Sequence, residues 1–167
     1  NVGLLIRAFS SLIRENPTLR AIVVIIGDGP MRPYLEKMVK DLHLDAYVVF
    51  KGVIPNAYRI LNAVDVFVLP SLSEGSPISL LEAMASGKSI AASDISAISE
   101  IVDDGKDAIL FNPKKLDPLK SVMLSLYNNP DLRIKIATNA KKKASHYDVN
   151  LIFEKILQIY SAKKKVS

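Results

Sequence analysis

The chain has no cysteine and no tryptophan, and its two histidines, His43 and His146, lie far apart. The absence of cysteine excludes a disulfide framework, a thiolate metal site and a cysteine nucleophile. The two histidines share no metal-ligand spacing, which favours ordinary, partly exposed histidines over a metal site. The serines between residues 71 and 79 have no histidine–aspartate pair nearby, so a hydrolytic triad is disfavoured.

Long apolar runs are also missing. The longest, residues 21–26, has the length of a strand and is too short to cross a membrane. No signal peptide opens the chain, and together with the lack of cysteine this predicts a cytoplasmic protein. The sequence starts with Asn1 rather than Met, and residues 2–9 already follow a helical pattern. We therefore expect a fragment of a longer protein.

The composition predicts one domain. Nearly half of the 167 residues are hydrophobic, which suffices for a core without disulfides or metals. The net charge of +5 comes largely from lysines 141–143 and 163–165. Such runs are typical of a solvated helix face and tail, and attraction to anionic membrane lipid or an acidic substrate is the alternative. No basic stripe is interleaved with aromatic residues, so nucleic acid is a disfavoured partner.

Strand-like and helix-like segments alternate along the chain. The predicted strands are residues 21–26, 47–50, 66–69, 89–92 and 108–111. The predicted helices are residues 4–13, 31–42, 56–62, 77–85, 99–102, 116–127, 131–144 and 150–160, with Asn56 as the cap of the third. Because parallel strands need crossovers, and these crossovers are helical, we predict an α/β fold. It is a Rossmann-like, doubly wound parallel sheet with helices on both faces.

Four loops are expected to carry the functional residues. Ligands of doubly wound sheets bind outside the carboxyl ends of the strands. The loops at those ends are residues 27–30, 52–56, 70–77 and 93–100.

The loop of residues 70–77 contains the largest number of candidate ligand contacts. It opens a helix, whose N-terminal N–H groups and dipole suit a phosphate, and Gly75 lets a ligand approach the backbone. Glu74 repels phosphate, so we expect it either to cap the helix or to contact a hydroxyl-rich group such as a sugar. Glu82, eight residues later, is placed either to bind the hydroxyls of a ribose or to be a solvated helix residue.

The remaining loops leave alternatives open. Gly27 and Gly29 are spaced as in a dinucleotide fingerprint, but Arg32 stands where its third glycine belongs, so the loop is either a tight turn or a backbone contact for a nucleotide. Exposed backbone after residue 52 is placed to bond a base. Arg59 is interpreted as a surface residue rather than a phosphate ligand. Glu100 either caps the short helix or binds a ligand.

The sequence of residues 63–87, AVDVFVLPSLSEGSPISLLEAMASG, resembles the signature of family-4-type glycosyltransferases of the GT-B fold, the glycosyl transferases group 1. The hallmark of that signature is two glutamates separated by seven residues, matched by Glu74 and Glu82. Residues 25–30, 50–53 and 100–102, and the closing helix that ends at Tyr160, are also similar to that family. The resemblance covers nearly the whole chain.

The resemblance implies the C-terminal, donor-binding domain of a retaining hexosyltransferase. Such an enzyme moves a sugar from a nucleotide donor to a hydroxyl of a lipid, a glycan or a small molecule, without a bound metal or another cofactor. Glu74 is then the catalytic residue that contacts the donor sugar. The first strand of the domain and an N-terminal acceptor domain would be missing here, and the fragment alone would be inactive.

The resemblance also assigns the nucleotide contacts. The backbone of Gly75, Ser76, Pro77 and Ile78 would hold sugar and phosphate, and the amide of Leu81 would lie beside the phosphates. Glu82 would bind the ribose and Val53 the base.

This sequence departs from the family pattern at Ser76, at Ser89 and at the pair Ser96-Ala97. The Arg and Lys that reach the diphosphate in the family would precede Asn1. Two alternatives to the glycosyltransferase are a non-catalytic nucleotide-sugar-binding or regulatory module and a sugar-nucleotide epimerase.

Overall fold

The computed structural model describes residues 1–147. The strands are β1 Val23–Ile26, β2 Val48–Gly52, β3 Val66–Leu69, β4 Ser89–Ser93 and β5 Ile109–Phe111. The α-helices are α1 Val2–Glu15, α2 Arg32–Asp41, α3 Ile78–Ala85, α4 Ser96–Ser99, α5 Leu116–Asn128 and α6 Pro130–Ala144, and Ala57–Ala63 and Ser145–Tyr147 are 3₁₀ helices. The helix predicted for residues 150–160 and lysines 163–165 lie outside the described residues.

All strand pairs are parallel, which confirms the α/β class. They form two sheets rather than a single continuous one: β1 pairs with β2, and β4 lies between β3 and β5. Within residues 1–147, β1 and β3 each pair along one edge only. We call the space between these two free edges the seam.

Helix α1 packs on both sheets through two groups of apolar side chains. Leu4, Leu5 and Ala8 join a cluster with α5, β4 and β5, while Ile6, Phe9 and Leu12 join a second cluster with α2 and β2. The side chains of Val23 in β1 and Met123 in α5 contact both clusters. Full burial of a Leu or Phe side chain stabilises a fold by about 1.5–3 kcal/mol, so α1 is a major link between the sheets.

A third cluster lies between α3, α6 and the other face of β4. All five residues of β4 are buried, as expected for a strand covered on both faces. The side-chain oxygens of Ser89 and Ser93 in this strand are buried without a hydrogen-bond partner.

A buried carboxylate fixes the C-terminal end of α6. Asp107 is 1% exposed and accepts a hydrogen bond from the backbone N–H of Asp103 at 2.7 Å. The Nζ atom of Lys143 lies 3.3 Å from Asp107 and 3.0 Å from Asp103, and its hydrogen bond lowers the pKa of Asp103. Lys143 therefore ties α6 to the turn before β5, while Lys141 and Lys142 are exposed, as predicted for a solvated helix face.

Two helix starts differ from the prediction. Asn56 precedes the 3₁₀ helix in a left-handed conformation, with φ of 54°, and its side chain makes no capping bond. Helix α4 begins at Ser96, three residues earlier than predicted, and the Ser99 hydroxyl in its last position donates back to the carbonyl of Ile95 at 2.9 Å. Such bonds from serine to the preceding turn compete with capping.

The packing of α6 predicts a large difference between two isoleucines on that helix. Ile136 is fully buried, whereas Ile134 is 65% exposed. We expect Ile136→Ala to lower the free energy of unfolding by about 2–5 kcal/mol, because a cavity remains. Ile134→Ala should change it by less than about 0.5 kcal/mol. Urea unfolding followed by circular dichroism measures both, and equal losses would contradict this packing of α6.

Candidate functional site

The loop between β3 and α3 holds a pre-oriented carboxylate. The Ser71 hydroxyl donates a hydrogen bond of 2.6 Å to Oε1 of Glu74, and both residues are half-buried. The capping alternative for Glu74 is wrong, because Pro77 occupies the N-cap position of α3 and no side chain caps the helix. Ser71 restricts the Glu74 side chain, which leaves the second carboxylate oxygen available to a ligand.

The N-terminus of α3 is open. The first turn contains no acidic residue. The amides of Gly75, Ser76 and Ser79 have no hydrogen-bond acceptor within the described residues. A Cβ atom at Gly75 would meet nothing within 4 Å, so a ligand can reach the backbone there. Unpaired N–H groups at the positive end of a helix dipole suit an anion.

Glu82 lies in the second turn of α3 and is half-buried. In the part of the chain that the structure describes, its carboxylate has neither a hydrogen bond nor an ion pair. The amide of the preceding Leu81 already donates to the carbonyl of Pro77 at 3.3 Å. A phosphate beside Leu81 would therefore have to share that N–H. Ile78, at the start of the helix, is 63% exposed.

A second group of predicted residues meets where β1 and β2 end. The amide of Gly27 donates to the carbonyl of Gly52 at 2.8 Å, and the two glycines have φ angles of 118° and 65°. The β1–β2 register shifts between Ile25 and Ile26, directly before this contact. Val53 follows with a side chain that is 75% exposed. We call Gly27, Gly52 and Val53 the β1–β2 corner.

Arg32, which the sequence reasoning treated only as a break in a glycine pattern, lies at this corner. Its Nη1 atom lies 2.8 Å from Asp28, and its Nε atom lies 2.7 Å from Glu36. The bond from the Gly29 amide and that from Arg32 lower the pKa of Asp28, and Glu36 and Asp28 raise the pKa of Arg32. The i, i+4 spacing of residues 28, 32 and 36 was the available signal. For Ser71, the signal was a hydroxyl three residues before a loop glutamate.

Arg59 and Glu100 do not join either group in the described residues. The Arg59 guanidinium lies over the ring of neighbouring Tyr58, 6.0 Å from its centroid, and the side chain is exposed, as predicted. Glu100 stands at the C-terminal end of α4, so the capping alternative is wrong. Its position leaves the ligand alternative as a prediction.

The two groups stand on different sheets. The first consists of Glu74, Gly75, Ser76, Pro77, Ile78, Leu81 and Glu82, at the carboxyl end of β3. The second consists of Gly27, Gly29 and Val53, at the carboxyl ends of β1 and β2. No hydrogen bond or ion pair within residues 1–147 joins the groups, so a ligand that spans both would bridge them. Nor do residues 1–147 bring together three side chains placed to hold a metal ion.

An open cleft of about 290 Å³ lies elsewhere, at the amino ends of β3 and β4. It is lined by Val64, Asp65, Gly87, Lys88, Ser89, Pro130, Arg133, Ile134 and Ala137. None of the predicted site residues contributes to this cleft. Ligands of parallel sheets bind at the opposite, carboxyl ends of the strands, so we place the candidate site there.

None of the helices in the described part of the chain is long and apolar enough to cross a membrane. The basic tail interpreted as a possible membrane contact lies outside that part.

The fold of this chain occurs in known proteins. A solved structure of a Staphylococcus aureus TarM mutant with fondaparinux, alpha-GlcNAc-glycerol and UDP superposes on 96% of this chain and 32% of its own, with a TM-score of 0.87 and 25% identity. The C-terminal domain of LpcC, a glycosyl transferase group 1 family protein from Francisella tularensis, superposes with a TM-score of 0.77 and 29% identity. That match covers 89% of this chain and 80% of the LpcC domain.

The sequence comparisons agree. The N,N'-diacetylbacillosaminyl-diphospho-undecaprenol alpha-1,3-N-acetylgalactosaminyltransferase of Campylobacter jejuni is 34% identical over 113 residues, which are 68% of this chain and 30% of that protein. The chain thus spans about a third of the length of this relative and of TarM. The family model for glycosyl transferases group 1 matches residues 1–129. With the GT-B architecture of its structural relatives, this chain belongs to the glycosyl transferases group 1.

Proposed function

We propose that this chain is the donor-binding domain of a retaining glycosyltransferase, in which the diphosphate of a nucleotide-sugar lies at the N-terminus of α3. The proposal rests on the order in which three features follow one another along the β3–α3 loop and helix α3. A carboxylate oriented by Ser71 stands directly before an uncapped helix end, and an unpaired Glu82 follows in the second turn. One strand end therefore offers contacts for a sugar, a phosphate and a ribose.

In this proposal, the N-terminus of α3 binds the diphosphate of the donor. Its negative charge increases as the bond to the sugar breaks, and preorganised N–H groups stabilise charge at the place where it develops. The amides of Gly75, Ser76 and Ser79 supply such donors, and the helix dipole adds to their effect. In this proposal the domain needs no resident metal.

The sugar and the ribose explain the two glutamates. A carboxylate beside a phosphate is unfavourable unless it accepts hydrogen bonds from neutral hydroxyl groups. Glu74 is thus assigned to hydroxyls of the transferred sugar, and Glu82 to those of the ribose. The base then lies at the β1–β2 corner, near Gly27, Gly29 and the exposed Val53. UDP is a first ligand to test, because it is bound in the TarM structure.

The rest of the cleft would come from a longer protein. We propose that a companion domain supplies the acceptor site, for a lipid, a glycan or a small molecule. We also propose that a further parallel strand occupies the seam, since the β1 and β3 edges that border it carry unpaired backbone groups within the described residues. The exposure of Val24 and Ile26 in β1, 39% and 36%, agrees with an incompletely covered strand.

The ribose assignment predicts a specific effect of Glu82→Ala. We expect the chain to bind UDP in preference to its 2′-deoxy analogue, and Glu82→Ala to weaken UDP binding by about tenfold while leaving the deoxy analogue little changed. A hydrogen bond to a charged group has this magnitude. Titration calorimetry with several nucleoside diphosphates measures the affinities. Asp45→Ala is the control, because Asp45 is an exposed carboxylate before the amino end of β2, away from the proposed site.

Two outcomes would contradict this assignment. If no nucleoside diphosphate releases heat at millimolar concentration, the proposed site is wrong. If Glu82→Ala lowers the affinities for UDP and for its deoxy analogue equally, only the assignment of Glu82 to the ribose is wrong.

The bond between Ser71 and Glu74 predicts a defect that is specific for the sugar. We expect Ser71→Ala to weaken binding of a UDP-sugar by about 3- to 10-fold, the effect of one ordinary hydrogen bond, but not binding of UDP. Ser71→Thr keeps the hydroxyl and should bind normally. Ser73→Ala, a change of an exposed serine in the same loop, is the control. If Ser71→Ala weakened UDP just as much, the hydroxyl would only stabilise the loop.

The reaction itself predicts retention of configuration. In the longer protein that contains this domain, we expect proton NMR of the first product to show an α-linked sugar when the donor is α-linked. Glu74→Gln should lower kcat by at least about 100-fold, the scale of a lost electrostatic contact in the transition state. Asp45→Asn should retain activity. A β-linked first product would show that the enzyme inverts.

A further inference from the structure

We infer that Arg32 is a positioning residue for the nucleotide base: held by Asp28 and Glu36, its guanidinium fixes the β1–β2 corner in the conformation that discriminates one base from another. This inference rests on the proposed function, because it assumes that a nucleotide base lies at the corner. It concerns a side chain that stands outside the glycine and glutamate contacts described above.

The guanidinium lies directly against the backbone of Gly52. A Cβ atom at Gly52 would come within 3.1 Å of Nη1 of Arg32 and within 3.8 Å of Oδ2 of Asp28. The positive φ of Gly52, 65°, also disfavours a side chain there. Glycine thus meets two requirements at this position, a left-handed backbone and a close contact with Arg32.

One backbone hydrogen bond, from the Gly27 amide to the Gly52 carbonyl, spans the corner. Its backbone leaves the regular ladder, because the β1–β2 register shifts at Ile26 and Gly27 then forms an isolated antiparallel bridge to Gly52. Cβ atoms at Gly27 and Gly29 would meet nothing within 4 Å. Arg32 is the side chain nearest to the position of a Cβ atom at Gly52, and Gly52 sets the direction in which the backbone of Val53 continues.

The local charge favours a neutral base over a phosphate. Asp28, Arg32 and Glu36 together carry one net negative charge when all are ionised. The Nη1 and Nε groups of the guanidinium already donate to carboxylates, at 2.8 and 2.7 Å. The hydrogen bonds from Gly29 and Arg32 lower the pKa of Asp28, which favours its ionised form. These three paired side chains do not attract a phosphate, whereas exposed backbone groups held in one orientation can read the edge of a base.

Helix α2 provides a matched control pair. Lys37 and Asp41 form an ion pair of 2.6 Å with the same i, i+4 spacing, and their side chains are 73% and 59% exposed. Exposed pairs of this kind contribute little to stability, so neither Arg32→Gln nor Lys37→Gln is expected to unfold the chain. A difference between the two variants would then reflect the contact of Arg32 with the corner.

The test compares affinities for UDP, CDP, ADP and GDP by titration calorimetry, in the wild type and in both variants. We expect Arg32→Gln to weaken the preferred nucleotide by about 3- to 10-fold, as for one lost hydrogen bond, and to leave the others nearly unchanged. The ratio of affinities among the bases then falls by the same factor. Lys37→Gln should leave the ratio unchanged, and Arg32→Lys should fall between them, because an ammonium cannot span both carboxylates.

Two further measurements separate positioning from general destabilisation. In the free protein, Arg32→Gln should shift the amide NMR signals of Gly27 and Gly52 and speed hydrogen exchange at Gly27, whose amide bonds to Gly52. Asp28→Asn should also lower the ratio of affinities among the four nucleotides. The variant that carries both Asp28→Asn and Arg32→Gln should lower this ratio no further than Arg32→Gln alone, because the two residues act as a unit.

The outcomes are distinguishable. If the wild type binds nucleotides but Arg32→Gln weakens all of them equally, or leaves the base ratio unchanged, the inference is overturned while the proposed function stands. If the wild type binds no nucleotide, the proposed function fails and this inference fails with it.

Discussion

Helix α1 is buried on two sides, and the two parallel sheets are joined through its apolar contacts. Leu4, Leu5 and Ala8 contact the layer of α5 and β4, and Ile6, Phe9 and Leu12 contact the layer of α2 and β2. No strand pairing connects β1 with β3 in the described residues. The relative position of the loops on the two sheets thus depends on how side chains pack around this helix. Close packing keeps that position fixed, because a core that fills its space resists small displacements.

In the proposed function, this arrangement divides the recognition of one ligand between two supports, the β3–α3 loop and the β1–β2 corner. The β3–α3 support offers N–H groups and two carboxylates, and the β1–β2 corner offers backbone held by an ion-paired arginine. Their charge preferences differ. An open helix end attracts a diphosphate, whereas the Asp28–Arg32–Glu36 group, with one net negative charge, favours a neutral group. A nucleotide-sugar has its charge in the middle and neutral groups at both ends, which is the pattern that these supports favour together.

The sequence was informative where one local interaction dominates. A continuous β-branched run predicted β1, and the glycines at positions 27, 52 and 75 lie at the loops expected to face a ligand. Prediction was wrong where two local interactions compete. The start of α4 was predicted three residues too late, because a serine can stand at the start of a helix or, as Ser99 does, bond back to the preceding turn. Asn56 is similar, because asparagine tolerates both the capping role and the left-handed conformation that it adopts.

By itself, the sequence determined the α/β class, the order of the elements and the family, since periodicity and the Glu74–Glu82 motif are properties of consecutive residues. It also placed the candidate residues in loops after strands. Only the tertiary structure decided which partners these residues have. The bond from Ser71 to Glu74, the contact of Arg32 with Gly52 and the split into two sheets arise from distances between side chains and strands. Such distances depend on packing across the whole core, which no local pattern encodes.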